Sequence, residues 1–594
     1  MSIVISTKEI SNGEKKGEVF VKGHYLESEE GLLFFKGDIY NLEEGEFLFK
    51  EIIRQGINII PQLKGEFFIV YYNFNSKKIY LANDKLGREP LFYFHDVDNF
   101  IISDDFWEIV NIIEPSISDI DIQSLKEFVI FCAPLSFKTI IKNLNYFPPA
   151  SMGEYCLRSS SFDIKRYWDF KYIPDQSLSL DKAVDRLDRL FNDATERIKR
   201  KNAPNAKYGI GLSGGLDSRL IPYYAQRHNM NLVSFIIGER KPHKLILSRD
   251  HKNARKLARY YNLDHKEVEY DSESLDIKSF REIRYAPMKM SNFFINLKNT
   301  LPNFDILLTG MNGTEVLGTN LPSNISELDK EKLCDALIEI FSNMYITKNI
   351  NFFKRLRYRW FDLLGNAANF NYSVDYINRR KSIDGVISKD EFLQAKSKVH
   401  KFIEENRDKT NLNIFQEYLF KYLVRLNKYS SLGSLLGRKR SYGIFMDPYF
   451  IDEALTWKPE FMINRNLQRH FFIKKFPELA KIPAQDFNVP IFYRDNASIS
   501  RKVLAFLTYK MRGAGLRYNR WIAGKRYKEY SRKILLKRNS VFSNIFEVKK
   551  IINLDNKDGR MYENLVKFKQ ILDVIESKYY RNFFSNFAQG EKQK

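Results

Sequence analysis

Cysteine is scarce: Cys132, Cys156 and Cys334 are the three in the chain, too few and too far apart for a disulfide framework or a zinc site. No apolar run reaches the roughly 18–20 residues that a membrane-spanning helix needs. The opening MSIVISTKEISNGEKKG turns polar too early to form the apolar centre of a signal peptide. No repeat of roughly 20–50 residues recurs, which excludes a solenoid. Together these absences predict a reducing, cytoplasmic setting, and a chain of 594 residues predicts more than one hydrophobic core.

Charge, by contrast, is plentiful and mostly of one sign, with a formal net value of +22. Residues 501–560 carry 17 Lys and Arg against 4 Asp and Glu, an excess of 13 and more than half of the total. Such a stretch meets a polyanion (nucleic acid, anionic lipid, phosphate) or forms a solvated helical face, and the sequence leaves both open.

Residues 1–170 hold short β-type runs such as Glu66–Tyr72, Lys78–Ala82 and Pro90–Phe94, separated by turn clusters like Asn73-Phe74-Asn75-Ser76. This pattern predicts stacked antiparallel sheets. The segment Tyr172–Ser177 reads as a polar linker, and a helix begins near Leu180 with Val184, Leu187, Leu190 and Phe191 at helical spacing. From Lys207 the texture becomes α/β. Strands are expected at Tyr208–Leu212, Leu232–Ile237 and Asp305–Thr309, with a helix from Asp250 to Tyr261. That alternation predicts a parallel sheet with helical crossovers. Residues 330–480 read as largely helical, and a basic extension, 496–594, completes a three-part division with 1–170 and 180–495.

The first expected strand of the α/β part runs into Ser213-Gly214-Gly215-Leu216-Asp217-Ser218. Paired glycines let the backbone turn sharply and approach a ligand. Amides at a helix start, together with the helix dipole, attract an anion. Ser213 and Ser218 offer hydroxyl donors to phosphate oxygens. Asp217 would repel phosphate unless a cation stood between them, which makes it a candidate Mg²⁺ ligand. No Gly-Lys-Ser/Thr follows, so this is not a Walker loop.

These six residues resemble the signature of the N-type ATP pyrophosphatases, and further segments narrow the likeness to asparagine synthetases. They are Lys64–Val70, Asn83–Tyr93, Gly37-Asp38-Ile39-Tyr40-Asn41, Arg166-Tyr167-Trp168, Ser234–Gly238, the second loop from Thr309-Gly310 to Gly318, and Met446–Phe450. The resemblance implies a degenerate class II glutaminase domain of the Ntn-hydrolase type, followed by a parallel-sheet ATP pyrophosphatase domain with helical additions. It assigns ATP contacts to Leu212, Ser213, Gly214, Gly215, Leu216, Asp217, Ser218, Ile237 and Gly310. Mg²⁺ would lie on Asp217 and Glu315, and catalytic work would fall to Asp217, Glu315 and Lys481. The implied reaction joins a small-molecule or peptide carboxylate to ammonia or an amine through an acyl-adenylate.

The departures from the family pattern are specific. Position 2 is Ser2 where the family uses a cysteine nucleophile, and the glutamine-binding Asn-Gly-Glu reads Lys36-Gly37-Asp38. In the second loop the expected aspartate is Thr314, beside Glu315, and the residue near the acyl centre is Met311. The late lysine of the family is missing from Ile482–Phe487, with Lys474, Lys475 and Lys481 nearby. The glutaminase is therefore expected to be inactive, as in the related β-lactam synthetases and lasso-peptide cyclases. Three readings follow: an AMP-forming amide ligase, a relative that binds ATP without turnover, and a tRNA-modifying ATP pyrophosphatase suggested by the basic extension. Arg219 is a candidate for a phosphate or carboxylate contact or for an exposed helix position, and Asp250 for a helix N-cap. A homodimer is left open.

Overall fold

The computed structural model describes residues 2–131, 134–239, 249–270, 301–317, 325–343, 388–424, 440–462 and 465–483, with Phe546 and Lys569. Cys132, Gly318, residues 484–487 and, apart from Phe546, the basic stretch 501–560 lie outside the described residues.

The N-terminal part is built from β1 (Val4–Ser6), β2 (Glu14–Lys16), β3 (Val19–Lys22), β4 (Leu26–Glu27), β5 (Gly31–Ile39), α1 (Glu46–Gln55), β6 (Gly65–Asn73), β7 (Lys78–Asn83), β8 (Phe92–His95), β9 (Phe100–Ser103), α2 (Phe106–Ile113), α3 (Ile122–Phe131), β10 (Leu144–Tyr146), β11 (Ser151–Cys156) and β12 (Ser161–Arg166). Two six-stranded sheets result, ordered β10-β8-β9-β1-β3-β2 and β12-β11-β7-β6-β5-β4. Their facing sides share a core that includes Ile5, Val21, Phe34, Phe68, Val70 and Ile102. The next residues along β6, Phe67 and Ile69, point the other way, onto Leu48 and Ile52 of α1. Burial on both faces explains why β6 reads as one continuous apolar run. On the outer side of the first sheet, Phe92 and Ile101 pack with Phe106, Ile109 and Val110 of α2 and with Leu333, Val399 and Phe415 of the later helices. The layers are therefore helix, sheet, sheet, helix.

α4 (Leu180–Arg200), capped by Ser179, leads into the second part. There β13 (Lys207–Gly211), β14 (Asn231–Glu239), β15 (His265–Tyr270), β16 (Ile306–Thr309) and β17 (Arg440–Gly443) form one sheet ordered β15-β14-β13-β16-β17, in which every pairing is parallel. α5 (Ile221–Arg227) and α6 (Arg249–Tyr260) are connecting helices. Apolar side chains of α4 (Val184, Leu187, Phe191), α5 (Ile221, Tyr224) and the helices Pro448–Ala454 and Asn466–Lys475 (Phe450, Phe471) bury this sheet.

Apart from β17, the region 330–480 is largely helical where described, with helices that include Lys330–Asn343, Lys389–Glu405, Asn411–Leu419, Pro448–Ala454, Asn466–Lys475 and Pro477–Lys481. No helix of the described residues is long and apolar enough to cross a membrane.

Candidate functional site

β13 continues into β14 on one side of the sheet, while β16 pairs on its other side. Chain connections thus diverge at β13, and in such sheets the crevice beyond the carboxyl ends of the strands is where ligands bind. Both glycine loops, after β13 and after β16, open at that crevice.

The first loop is closed by its own hydroxyls. Ser218 Oγ accepts from the Ser213 amide at 3.1 Å and meets Ser213 Oγ at 3.0 Å, and Ser213 Oγ accepts from the Gly215 amide at 3.2 Å. The Gly214 amide donates to Asp250 Oδ1 at 3.2 Å. These amides are the donors the sequence pattern assigns to phosphate, and here they turn to a carboxylate and a hydroxyl. Leu212 and Leu216 are fully buried and anchor the loop from beneath. α5 begins at Ile221, with a turn between it and the loop, because Pro222 sets the first helical turn. α6 starts at Arg249, which puts Asp250 inside its first turn, facing Gly214, and not at the N-cap.

The second loop is pressed against the first. A Cβ on Gly310 would lie 2.5 Å from the Asp217 carbonyl carbon and 2.6 Å from the Ser218 amide, and one on Gly313 would lie 2.5 Å from Asp217 Cγ. Glycine at both positions is thus a packing requirement. Asn312 holds a left-handed backbone (φ 68°), and after it Glu315 is buried at 8% exposure. Asp217 Oδ1 accepts from Gln468 Nε2 at 3.0 Å and pairs with Arg465 Nη1 at 3.2 Å. Arg465 is only 3% exposed and itself has φ 56°. Ile237 is half-buried on β14, packed on the cluster around Val233 and Phe235.

Two arginines depart from expectation. Arg219 is fully buried, and its guanidinium donates to the carbonyls of Gly214, Leu479, Ile482 and Pro483 at 2.7–3.1 Å. It is not an exposed helix residue: it fastens the segment around Pro483 to the loop, aided by Asn253, which donates to the Pro483 carbonyl at 2.8 Å. Arg465 was not foreseen, because its partner lies 248 residues away and no local pattern marks the pair. The lysines fall elsewhere. Lys481 is exposed and pairs with Glu478, Lys474 pairs with Asp181, and Lys475 pairs with Asp185. The structure does not bring Lys481 to the loop. Asp447 caps the helix Pro448–Ala454 and takes both bonds from Arg197 at 2.8 Å, with burial pushing its carboxyl up.

Among the described residues no group of three or more His, Cys, Asp or Glu could hold a metal ion unaided. One or two carboxylates completed by phosphate oxygens is the ordinary way Mg²⁺ is held. The partly exposed Asp217 carboxylate, backed by the glycine loop, fits that donor set.

In the N-terminal part, Ser2 is 6% exposed and its hydroxyl donates to Glu108 at 2.8 Å, while Glu108 also pairs with Lys22. Lys36 pairs with Asp104 at 2.8 Å and Glu89 at 3.7 Å. Asp38 pairs with Arg440 and accepts from the Tyr442 hydroxyl.

Comparison with known proteins agrees with these two parts. The family described as "Glutamine amidotransferase domain" matches residues 25–168, and the family "Asparagine synthase" matches residues 186–321. The curated protein "Asparagine synthetase [glutamine-hydrolyzing] 2" of Bacillus subtilis (strain 168) is 23% identical over 299 residues, spanning 44% of this chain and 37% of its own length. Similar solved structures include an allosteric regulatory enzyme of purine biosynthesis at 10% identity, covering 54% of this chain and 70% of that one with a TM-score of 0.20. Another is the U34-tRNA thiolase NcsA from Methanococcus maripaludis, at 14% identity, covering 40% and 81% with a TM-score of 0.16. Two layered antiparallel sheets followed by an all-parallel sheet make a mixed α/β protein, and one of the two family matches falls on each part. In carrying both matches in this order, the chain is similar to proteins of the asparagine synthetase superfamily.

Proposed function

We propose that the protein is an ATP-dependent, AMP-forming amide ligase. A carboxylate attacks the α-phosphorus of ATP, pyrophosphate departs toward the Ser213–Ser218 loop, and an acyl-adenylate forms. Ammonia or a substrate amine then displaces AMP to give the amide. The observation that carries this reading is the closure of the two glycine loops on Asp217, with no room for a side chain at Gly310 or Gly313. Asp217 and Glu315 are the residues that would hold Mg²⁺, which supplies charge neutralisation for the phosphates. Ser213, Gly214, Gly215 and Ser218 bind and orient the phosphates, and Ile237 offers an aliphatic surface to adenine.

The glutaminase is inactive in this proposal. In support, the Ser2 hydroxyl is committed to Glu108, and Lys36 occupies the position of the family's glutamine-binding asparagine in ion pairs with acidic neighbours. The domain division proposed is 1–170, 180–495 and 496–594. Free thiols at Cys156 and Cys334 support a reducing, cytoplasmic setting. A second reading, ATP binding without turnover, is favoured by one observation: Arg465 already neutralises Asp217.

The test is release of pyrophosphate and AMP by purified protein with Mg·ATP, ammonia and a panel of carboxylates, with aspartate the first of them. Release that Asp217→Ala lowers at least about a hundredfold supports the ligase. ATP binding without release across the panel supports the second reading, and absence of ATP binding refutes both.

A further inference from the structure

β17 is a four-residue strand at the end of the sheet, with no strand on its outer side among the described residues. It nevertheless sets the position of the second loop. Thr309, the last residue of β16, pairs in register with Gly443, and its hydroxyl donates to the Tyr442 carbonyl at 3.4 Å. The very next residue, Gly310, touches the backbone of Asp217 and Ser218 without slack. A shift of β17 is thereby passed to the phosphate loops.

What holds β17 from outside is the N-terminal part. Asp38, at the end of β5 and 6% exposed, pairs through Oδ1 with Arg440 at 3.0 Å and accepts through Oδ2 from the Tyr442 hydroxyl at 2.7 Å. Burial and the nearby Asp38 carboxylate push the Tyr442 hydroxyl well above its usual range, so it remains a donor. Arg88 reaches the same strand, because a Cβ on Gly443 would stand 3.4 Å from its Nη2 and 3.6 Å from Thr309 Oγ1. Beyond the strand, Lys64 and Lys85 converge on Asp452 of the helix Pro448–Ala454 at 2.5 and 2.6 Å. Asp38 lies on β5, Lys64 directly precedes β6, and Lys85 and Arg88 follow β7, so all four are carried by strands of one sheet or the residues next to them.

We propose that Asp38 is a positioning residue for the ATP site: the N-terminal domain is a buttress that fixes β17, and through it the second glycine loop. Asp38 stands where the family's pattern has a glutamine-binding glutamate, so a group released from glutamine recognition serves as an anchor in the neighbouring domain. The proposal rests on the ATP-site reading above, but its core, the coupling of Asp38 to the second loop, is measurable without nucleotide.

The experiment compares wild type, Asp38→Ala and Asp38→Glu by amide hydrogen exchange and by calorimetric titration with Mg·ATP. Asp38→Ala is expected to speed exchange in 306–313 and 440–446 while leaving β6 and β7 protected, and to weaken Mg·ATP binding by at least tenfold. Asp38→Glu, which keeps the carboxylate, is expected to restore most of both. Unchanged exchange in 306–313 overturns the proposal. Exchange that rises equally in β6 and β7 also overturns it, because Asp38 would then hold only its own domain together. If wild type binds no Mg·ATP, the ATP reading falls, and Asp38 loses its positioning role while the exchange data still report the coupling.

Discussion

Gly310→Ala isolates the contact between the two loops. Gly310 does not occupy a left-handed backbone, so alanine is conformationally acceptable and only space is at issue. The added methyl would stand 2.5 Å from the Asp217 carbonyl carbon, 2.6 Å from the Ser218 amide nitrogen and 2.7 Å from the Asp217 carbonyl oxygen. Ordinary carbon contacts lie near 3.5 Å, so the loops must part by about 1 Å to relieve the nearest contact. All three atoms are backbone, and no side chain can rotate away. Overpacking of this kind costs about 1–3 kcal/mol. Distributed over loop and nucleotide, it corresponds to roughly a 10- to 100-fold loss of ATP affinity at about 1.4 kcal/mol per decade. Calorimetric titration with Mg·ATP reads the effect. Gly209→Ala is the control: it also overpacks, but against the Phe304 ring at 2.5 Å, and Phe304 precedes β16, toward the amino ends of the strands, whereas the loops follow the carboxyl ends. It should lower thermal stability and leave ATP affinity within about threefold. A Gly310→Ala variant that binds ATP like wild type would refute the reasoning that the two loops form one site.

Two further expectations follow from buried polar groups. Arg219→Met should destabilise the second part by about 3 kcal/mol or more, because four carbonyls lose a buried charged donor; chemical denaturation followed through the aromatic signal checks this, and a change below about 1 kcal/mol contradicts it. His265, whose Nδ1 meets Ser234 Oγ at 2.9 Å, is held below its usual pKa chiefly by burial. Its neutral form is the folded one, so its contribution is complete above the unfolded value of about 6.5 and is lost as pH falls from there through its lower folded value. The melting temperature should fall more between pH 7.5 and 5.5 in wild type than in His265→Asn, and equal falls would remove His265 as the cause.

Local chemistry made the centre of the site legible. Two glycines, two serines and an aspartate after an apolar strand carry their own instructions, although the Ser213–Ser218 bonds close the loop on itself where the sequence pattern assigns both hydroxyls to phosphate. The strands Gly65–Asn73, Lys78–Asn83 and Asn231–Glu239 follow from β-branched and aromatic runs. α2 did not, since Phe106-Trp107-Glu108-Ile109-Val110 has strand-like composition, and a single cap, Asp105 accepting from Trp107, turns it helical. β17 was equally hidden: Arg-Ser-Tyr-Gly has no apolar alternation, and its place depends on partners hundreds of residues distant. Arg465 and Gln468 were missed for the same reason, because the reason a buried charge is tolerated lies in its partner and not in its neighbours along the chain.

The segment joining the two parts has the composition of a free tether, yet it is laid down as a strip along the second part. The amides of Ile173 and Asp175 donate to the carbonyls of Leu455 and Thr456 at 3.0 and 2.8 Å, and the Tyr172 hydroxyl donates to the Trp457 carbonyl. These acceptors directly follow the helix that Lys64 and Lys85 grip through Asp452. Connector and interface therefore seize the same stretch of chain from two directions, which removes the slack a hinge would need. Opening and closing of one half against the other is not a motion this arrangement permits cheaply, so admission of substrates and departure of products fall to the loops at the rim of the parallel sheet.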